Sequence, residues 1–563
     1  MIKQQHINSK SFPYIDNLFD YGQFLKCVEA KGSIGKLPSN NKSHIAIIGA
    51  GLSGLIAAYE LLRAGIKNIT LFEAENNRCG GRLLSQRFDE NQQCYIAEMG
   101  AMRFPSTEFG LFHYLDKYNI DTVSIFPDPG IVDTEIHYQG VAHKWNAGSK
   151  PPELFKIVDN GWKEFLNKGI QLSENQNLIA PLEIKRALED SRLEEARSAW
   201  QEYLDVFGDS CFYSGLVKIF TGSNPPGSIR WRKPEDFALF GSLGIGSGGF
   251  QPVFRASFIE IMRLIVNGLE EDQRLVPLGI SALSENILTD EFHGETIKNS
   301  IIYEKVTGIK KSDDNLFILN TENKQYAGFD RVIVTTSTRS MQISLKLSQS
   351  NTFLSHEMKR AVNETHLVGS SKLFLLTKNK FWLEKGLPHT ILTDNLAKGI
   401  YCLDYDPENK NGCGVVLISY TWEDDSHKLI TLKDKEKRLE YLVDELKTVA
   451  PDFASYLKPL NNDPKYILEY DWLTDENAMG AFKLNYPGDD IYSKSLFFQF
   501  QTASQAEQDT GLYLAGCSCS FTGGWAEGAV QTSLNAVCAV IKSLGGNLIE
   551  NNPLDNMNSY YNY

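Results

Sequence analysis

Three glycines and a following acidic residue form the first group whose types and spacing could bind a ligand. Gly49, Gly51 and Gly54 follow an apolar run at 45–48, and Glu73 ends the next apolar run. The first glycine permits a tight turn, the second lets the backbone approach a pyrophosphate, and the third allows close helix–strand packing. A carboxylate at this distance from the glycines suits a ribose hydroxyl. The group therefore predicts a dinucleotide site.

Arginines follow this group at two points where they could meet an anion. Gly81 and Arg82 belong to a glycine pair flanked by arginines, which suits a second backbone approach to a pyrophosphate; a surface turn with solvated arginines is the alternative. Arg103 lies between Met102 and a Phe-Pro pair. A guanidinium held by apolar neighbours is a natural bidentate partner of a carboxylate. Arg103 is thus a candidate substrate clamp.

The composition of the chain excludes several classes of binding partner. The chain has 563 residues, 42% hydrophobic and 22% charged, which is typical of a globular protein with two or three domains. The net charge of −14 argues against nucleic acid and anionic membrane partners. Nine scattered cysteines without a C-x-x-C pair indicate reduced thiols in a cytoplasmic protein and no metal site.

Neither of the two segments that could direct the chain to a membrane has the composition that this requires. The first residues contain no apolar leader, so no secretory signal is predicted. The stretch 45–62 nearly reaches the length of a membrane span, but it contains three glycines and Glu60. The dinucleotide turn explains this stretch better, and no membrane partner is expected.

The elements that must position these residues alternate between strands and helices. A strand at 45–48, a helix at 55–64 and a strand at 68–72 surround the glycines. A buried strand at 329–336 and a strand at 511–516 that precedes an apolar helix suggest that one nucleotide-binding domain is assembled from separate segments. Small residues at 523–530 open that helix and offer a second N-terminus to the ligand. We therefore predict an α/β fold with a Rossmann-like domain.

The predicted division of the chain has five parts. The glycine-rich run 241–250 lacks the ending of a phosphate loop and is expected to line a pocket, with Phe250 pointing inward. The tail at 550–563 is expected to be loosely ordered. The predicted parts are an N-terminal arm at 1–43, a nucleotide-binding domain at 44–115, 270–340 and 505–545, a substrate-binding domain at 116–150, 241–269 and 341–504, a helical insertion at 151–240, and a C-terminal tail at 546–563.

Together these segments resemble a known family. The glycine loop with Glu73, the glycine pair before Arg82 and the stretches 97–105, 240–250, 419–425, 480–488 and 511–533 are similar to flavin-dependent amine oxidases of the monoamine and L-amino acid oxidase type. The likeness begins near Asp16, continues to the C-terminus, and is strongest to the bacterial tryptophan-oxidising members. It implies the glutathione reductase-like form of the Rossmann fold, with a mixed-sheet substrate domain and a helical insertion.

The resemblance also implies a cofactor and a reaction. The cofactor is FAD, and the substrates are L-tryptophan and O2. The products are indole-3-acetamide, CO2 and water, the first step of the indoleacetamide route to the auxin indole-3-acetic acid. The cofactor-binding residues it implies are Gly49, Gly51, Ser53, Gly54, Glu73, Gly81, Arg82, Met102, Arg103, Val306, Gly516, Trp525, Ala529 and Val530.

The same resemblance assigns the residues of the substrate site. Lys372 matches the family lysine that holds a water near the flavin, and Arg103 matches the carboxylate clamp, with Tyr420 as a second donor. Without the family, Lys372 would be taken as an exposed strand residue and Tyr420 as an ordinary core tyrosine. The residues implied to surround an indole ring are Trp472, Trp525, Phe250 and Phe482, which could otherwise be core aromatics.

Three other functions stay open at this point. A plain L-amino acid oxidase would release imino or keto acid and hydrogen peroxide, and only its products would distinguish it. A monoamine or polyamine oxidase is less consistent with Arg103, which suits a substrate that carries a carboxylate. A non-catalytic binding protein on the same dinucleotide fold would need no flavin. The sequence leaves the oligomeric state open, with a homodimer as one alternative.

Overall fold

The computed structural model describes residues 10–89, 95–245, 251–292, 294–349, 353–501, 510–556 and 559–563. Its first layer is a five-stranded sheet, called here the nucleotide sheet, in which every pair of neighbours is parallel. The four apolar residues 45–48 are buried, as the strands of a parallel sheet covered on both faces require. In spatial order its strands are Ile301–Ile302, Asn68–Phe72, His44–Ile48, Arg331–Val334 and Leu512–Leu514.

Two helices cover one face of the nucleotide sheet and pack against each other. The helix Leu52–Arg63 follows the glycine loop, and the helix Ala526–Ser543 follows the last strand of the sheet. Ser53 Oγ and Ser533 Oγ lie 2.6 Å apart where the two helices meet. Because both helices follow the carboxyl ends of strands that run in the same direction, their N-terminal ends approach the same edge of the sheet.

A second, larger sheet, called here the substrate sheet, has seven strands and mixed directions. Its outer strand pair Thr134–Tyr138 and Val141–Trp145 joins the rest through a parallel contact with Thr390–Thr393. The other pairings are antiparallel. In spatial order the strands are Ile467–Asp471, Ser370–Thr377, Gly414–Trp422, Gly399–Leu403, Thr390–Thr393, Thr134–Tyr138 and Val141–Trp145. The parallel nucleotide sheet and this mixed sheet confirm the predicted α/β class.

The segment 146–266, which follows the two outer strands of the substrate sheet, consists mainly of helices. A short hairpin of Ile170–Ser173 and Gln176–Leu178 interrupts them. Large aromatic side chains such as Trp200 and Phe212 fill the core between the helices. The helices are Lys156–Lys168, Pro181–Glu189, Leu193–Phe207, Phe212–Phe220, Glu235–Leu243 and Phe258–Val266. The division of the chain into five parts stays a prediction.

The remaining elements connect and cover the two sheets. A three-stranded antiparallel sheet consists of Val306–Lys311, Phe317–Thr321 and Gln325–Phe329. Two-stranded pairs are Ser85–Arg87 with Ile96–Glu98, Phe104–Pro105 with Gln273–Arg274, Glu291–Phe292 with Glu295–Thr296, and Leu367–Val368 with Phe482–Lys483. The other helices are Tyr21–Lys31, Phe109–Lys117, Ser281–Thr289, Thr338–Ile343, His356–Glu364, Phe381–Lys385, Asp424–Ile430, Lys435–Val449, Pro451–Ala454 and Asp490–Phe497.

The two ends of the described chain pack on each other. The strand Gly35–Lys36 pairs with Asn547–Leu548, and the buried Tyr561 hydroxyl donates to the Ile15 carbonyl at 2.6 Å. The expectation of a loosely ordered tail is therefore wrong for its described residues, because aromatic side chains anchor them to the N-terminal arm. Across the described ranges, every helix is too short or too polar to cross a bilayer.

Candidate active site

A cavity of about 310 Å³ lies between the nucleotide sheet and the substrate sheet. Glu73 and the glycine loop line one end of the cavity, and Arg103 and Lys372 line another part of its wall. The helix N-terminus that begins at Ala526 also reaches this wall. The predicted dinucleotide and substrate residues therefore share one continuous space.

The glycine loop has the geometry that its sequence predicts. Gly49 has a φ of +102°, which favours glycine, and Gly51 caps the helix Leu52–Arg63 without a side-chain hydrogen bond. A Cβ on Gly54 would lie 1.9 Å from the Gly49 carbonyl oxygen. Gly54 does not line the cavity but allows the helix to pack on the loop, while Gly49 and Gly51 face the cavity.

A second glycine segment closes against the first. The Gly80 N–H donates to the Ala50 carbonyl at 2.8 Å, and a Cβ built on Gly81 would lie 3.1 Å from Gly51 Cα. Gly81 has a φ of +57°. Arg82 lines the cavity beside them and donates to the Ala481 carbonyl at 2.9 Å. This backbone cradle, which side chains at the glycine positions would fill, fits a pyrophosphate with an arginine beside it.

Glu73 lies at the end of the strand Asn68–Phe72, which neighbours the central strand His44–Ile48, at the position where a ribose hydroxyl would bind. One carboxylate oxygen accepts from the Ala50 N–H at 2.8 Å and the other from the Glu75 N–H at 2.9 Å. Burial raises the pKa of Glu73, and these backbone donors oppose that rise. Two backbone donors hold the carboxylate at the edge of the cavity, where it retains lone pairs for a ligand hydroxyl.

The other predicted cofactor residues divide into two groups. Val530 does not reach the cavity: it is fully buried, and its side chain packs beside Gly110. Because the helix Ala526–Ser543 turns Val530 toward the core, its neighbour Ala529 faces the cavity instead. The predicted residues on the cavity wall are Gly49, Gly51, Ser53, Glu73, Gly81, Arg82, Met102, Arg103, Val306, Gly516, Trp525 and Ala529.

Arg103 brings a positive charge to the cavity wall. Its Nη1 is buried and finds no hydrogen-bond partner among the described residues, and its guanidinium lies 5.3 Å from the centre of the Phe126 ring. Burial lowers the pKa of Arg103, but the charges of Glu270 and Asp128 outweigh burial and raise it. A buried cation without a hydrogen-bonded partner is costly. The arrangement therefore favours an anionic ligand with two oxygens.

Lys372 is the third residue of the strand Ser370–Thr377 and lines the cavity. Its Nζ donates to the Glu98 carbonyl at 2.9 Å and to the Gly100 carbonyl at 2.6 Å. Nζ also lies 4.8 Å from the centre of the Tyr420 ring. Burial lowers the pKa of Lys372 to about 7, although the Glu98 carboxylate opposes this shift. The amine can thus hold a water or exchange a proton near neutral pH.

Aromatic side chains complete the wall. Trp472 is fixed because its Nε1 donates to the Met99 carbonyl at 2.9 Å. Tyr420, Phe482 and Trp525 also line the cavity, whereas Phe250 lies outside the described residues. The structure therefore places four of the five predicted aromatic residues around one space.

Sequence reasoning missed several residues of the wall. Trp422 stands perpendicular to Tyr420 and Phe482, at ring distances of 5.3 and 5.7 Å. Two carboxylates, Glu260 and Glu270, also line the cavity. Glu260 had a signal in the sequence, since it is the one acid within the apolar helix Phe258–Val266. Glu270 stands directly before two further acids and has no such signal.

Comparison with known proteins agrees with this geometry. The sequence model of the family described as flavin containing amine oxidoreductase matches residues 52–541. The tryptophan 2-monooxygenase of Pseudomonas savastanoi is 54% identical over 560 residues, covering 99% of this chain and 100% of that protein. The enzyme of the same name from Pantoea agglomerans pv. gypsophilae is 55% identical over 555 residues, 98% of each chain.

Solved structures share the fold at low sequence identity. Cyclohexylamine oxidase from Brevibacterium oxydans IH-35A has a TM-score of 0.61 at 15% identity, covering 90% of this chain and 100% of that one. A double mutant of putrescine oxidase has a TM-score of 0.60 at 16% identity with the same coverage. The family model matches most of the chain, and the relatives are similar to it over nearly their whole length. The chain therefore belongs to the flavin containing amine oxidoreductases.

Proposed function

We propose that this protein oxidises and decarboxylates L-tryptophan with O2, forming indole-3-acetamide, CO2 and water. Relatives more than 50% identical over nearly the whole chain carry the name tryptophan 2-monooxygenase. The observation that carries the proposal is Arg103 on the cavity wall, whose Nη1 finds no hydrogen-bond partner in the described part of the chain, with Lys372 and Tyr420 on the same wall. An amino acid presents a carboxylate that this guanidinium can bind, whereas a simple amine does not.

The cofactor is FAD, which supplies the two-electron oxidation of the substrate and the reaction with O2. The two glycine segments, with Ser53 and Arg82, are proposed to hold its pyrophosphate. Glu73 is proposed to bind a ribose hydroxyl, since its position at the strand end suits that contact. Met102, Gly516, Trp525 and Ala529 line the part of the cavity proposed for the flavin ring.

The substrate is proposed to be oriented by Arg103 and Tyr420. Arg103 offers two parallel N–H donors to the carboxylate, and the Tyr420 hydroxyl offers a further one. Such orientation is worth several kcal/mol of the activation barrier when it aims the Cα–H bond correctly. Trp472, Phe482 and Trp525 provide the aromatic walls that an indole ring needs.

Lys372 is proposed to act on protons and water beside the reacting carbon. Two of the three ammonium protons are used by the Glu98 and Gly100 carbonyls, so one donor remains for a water in the cavity. The aromatic walls keep other water away, which protects the imino acid from hydrolysis before its carboxyl group is lost. This protection separates the proposed reaction from that of an L-amino acid oxidase.

Mass spectrometry of the products from aerobic turnover in ¹⁸O2 tests the proposal. We expect indole-3-acetamide with one ¹⁸O atom, since one oxygen atom of O2 enters the amide and the other leaves as water. Indole-3-pyruvate, ammonia and hydrogen peroxide as the only products would instead identify an L-amino acid oxidase. A colourless purified protein that lacks flavin absorbance would support a binding protein without catalysis.

A further inference from the structure

Glu260 places a carboxylate on a part of the cavity wall that is otherwise apolar. The helix Phe258–Val266 presents Glu260, Ile261 and Leu264 to the cavity. Glu260 and Leu264 are four residues apart and so lie on the same helix face. Only 2% of the Glu260 surface is exposed. A carboxylate this deeply buried is costly unless hydrogen bonds satisfy both of its oxygens.

Among the described residues, only one of the two Glu260 oxygens accepts a hydrogen bond. Oε2 accepts a hydrogen bond from Arg263 Nη1 at 2.6 Å. Within the described ranges, no residue donates a hydrogen bond to Oε1. Burial raises the pKa of Glu260 to about 7, while Arg263 opposes the rise. Above that pH an ionised oxygen is therefore available to a donor inside the cavity.

The orientation of this carboxylate is fixed from behind. Arg263 is fully buried and also donates to Asp16 at 2.7 and 3.0 Å and to Asp490 at 2.8 Å. Because three acids from distant parts of the chain hold the guanidinium, Glu260 cannot turn away without breaking its own ion pair. A preorganised acceptor of this kind discriminates well between ligands with and without a donor.

Glu260 and Arg103 belong to different charge clusters on the same cavity. The charges that act on Glu260 come from Arg263, Lys483, Asp490 and Asp16. Those that act on Arg103 come from another set that includes Glu270 and Asp128. An amino acid whose carboxylate binds Arg103 must direct its side chain elsewhere in the cavity, where Glu260 offers an acceptor for a side-chain N–H group.

We propose that Glu260 accepts a hydrogen bond from the indole N–H of the substrate and so selects tryptophan over side chains of equal size without a donor. The inference rests on the proposed function, because it takes L-tryptophan as the substrate. It makes Glu260 a specificity-determining residue, separate from the groups that act on the reacting carbon.

A pair of substrates tests this role in the unaltered holoenzyme. L-tryptophan and 3-benzothienyl-L-alanine have nearly the same shape, but sulfur replaces the indole N–H in the second. At pH 8 we expect kcat/KM, measured as O2 consumption, to favour tryptophan by about 10- to 100-fold, the range for a hydrogen bond to a charged group. A ratio within twofold of one would overturn the proposal without any variant.

The variant Glu260→Gln tests the residue itself. Arg263 needs the amide oxygen as its acceptor, so the amide NH2 turns to the cavity and faces the indole N–H with a second donor. We expect the preference for tryptophan to fall to about twofold or less. Glu270→Gln is the matched control, because it neutralises a cavity carboxylate of the other cluster, and it should keep the preference of the unaltered enzyme.

The outcomes separate this proposal from the proposed function. Retention of the full preference in a Glu260→Gln protein that holds flavin would assign Glu260 a structural role only. Turnover with the expected preference but with indole-3-pyruvate as product would contradict the proposed reaction and leave the Glu260 contact supported. No turnover of either substrate by the flavin-loaded, unaltered enzyme would contradict both.

Discussion

Two arginines of this protein, Arg263 and Arg103, have opposite surroundings. Arg263 donates hydrogen bonds to Asp16, Glu260 and Asp490, all at 3.0 Å or less. Arg103 has a buried Nη1 that finds no partner among the residues that the structure describes, and the nearby acids Glu270 and Asp128 act on Arg103 only through longer-range charge. The protein thus uses the guanidinium of Arg263 for its own internal contacts, whereas the guanidinium of Arg103 faces the cavity.

The difference indicates how to distinguish a structural charge from a binding charge. A guanidinium whose three nitrogens all donate hydrogen bonds within the fold has little left to offer a ligand, and its removal leaves buried acids uncompensated. A guanidinium whose donors point into a cavity adds little to folding and gains its partners only when an anion binds. The two residues should therefore differ in which measurement responds to their loss.

The largest effect is expected from Arg263→Ala. Removal of this cation leaves three buried carboxylates without their common partner, which should lower the free energy of unfolding by about 3–5 kcal/mol. Chemical denaturation followed by circular dichroism measures this loss. Arg197→Ala is the control, because Arg197 pairs with an exposed Glu194 and should cost less than about 1 kcal/mol.

Arg103→Ala should show the reverse pattern. Loss of the carboxylate clamp is expected to lower kcat/KM for L-tryptophan by about 10²- to 10³-fold, in the range for removal of one partner of a buried charge pair. Steady-state O2 consumption measures it. Oxidation of tryptamine, which lacks the carboxylate, should change far less. A loss of stability as large as that of Arg263→Ala would remove the distinction between the two arginines.

The third and smallest effect concerns the cation next to Arg103. Burial lowers the pKa of Lys372 to about 7 in the folded protein, against 10.5 as its ordinary value. Between these two values the unfolded chain binds a proton that the folded protein lacks, so this group makes the free energy of unfolding rise with pH. Its destabilising contribution is full below pH 7 and disappears above pH 10.5.

Replacement of Lys372 by Met should therefore flatten this pH dependence. We expect the stability of Lys372→Met relative to the unaltered protein to fall by about 1–3 kcal/mol between pH 7.5 and 9.5. Burial raises the pKa of Glu98 to about 7, and stability linked to Glu98 falls as pH rises from 4.5 to 7, below the window chosen. Denaturation curves of both proteins at these two pH values check the sign; a parallel pH dependence would contradict it.

The cofactor end of the cavity could be predicted from the sequence because local segments build it. Gly49, Gly51 and Glu73 lie within one strand–helix–strand unit, and the two glycines can offer only backbone atoms to a ligand. Arg103 follows on the same stretch of chain. The parallel sheet and the α/β class follow from the same apolar runs.

The substrate end could be predicted only in part, because it is assembled from distant segments. Lys372 and Tyr420 were reached through family resemblance, since nothing local distinguishes them from sheet residues. Val530 was expected at the cofactor, but the rotation of its helix turns it to the core. The position of Glu260 could not be predicted, because it depends on Asp16 and Asp490. Both residues lie far from Glu260 in the sequence, and no local pattern connects them with it.

The Arg263 cluster also has a consequence for the order of events during synthesis. A chain that grows from its N-terminus exposes Asp16 first, Glu260 and Arg263 midway, and Asp490 only near the end. Tyr561 then secures the segment that carries Asp16, through its bond to Ile15. Contacts this far apart in sequence form slowly. A partly translated chain therefore lacks the Asp490 and Tyr561 contacts, and the Arg263 cluster is completed only after the segments that carry these two residues have been made.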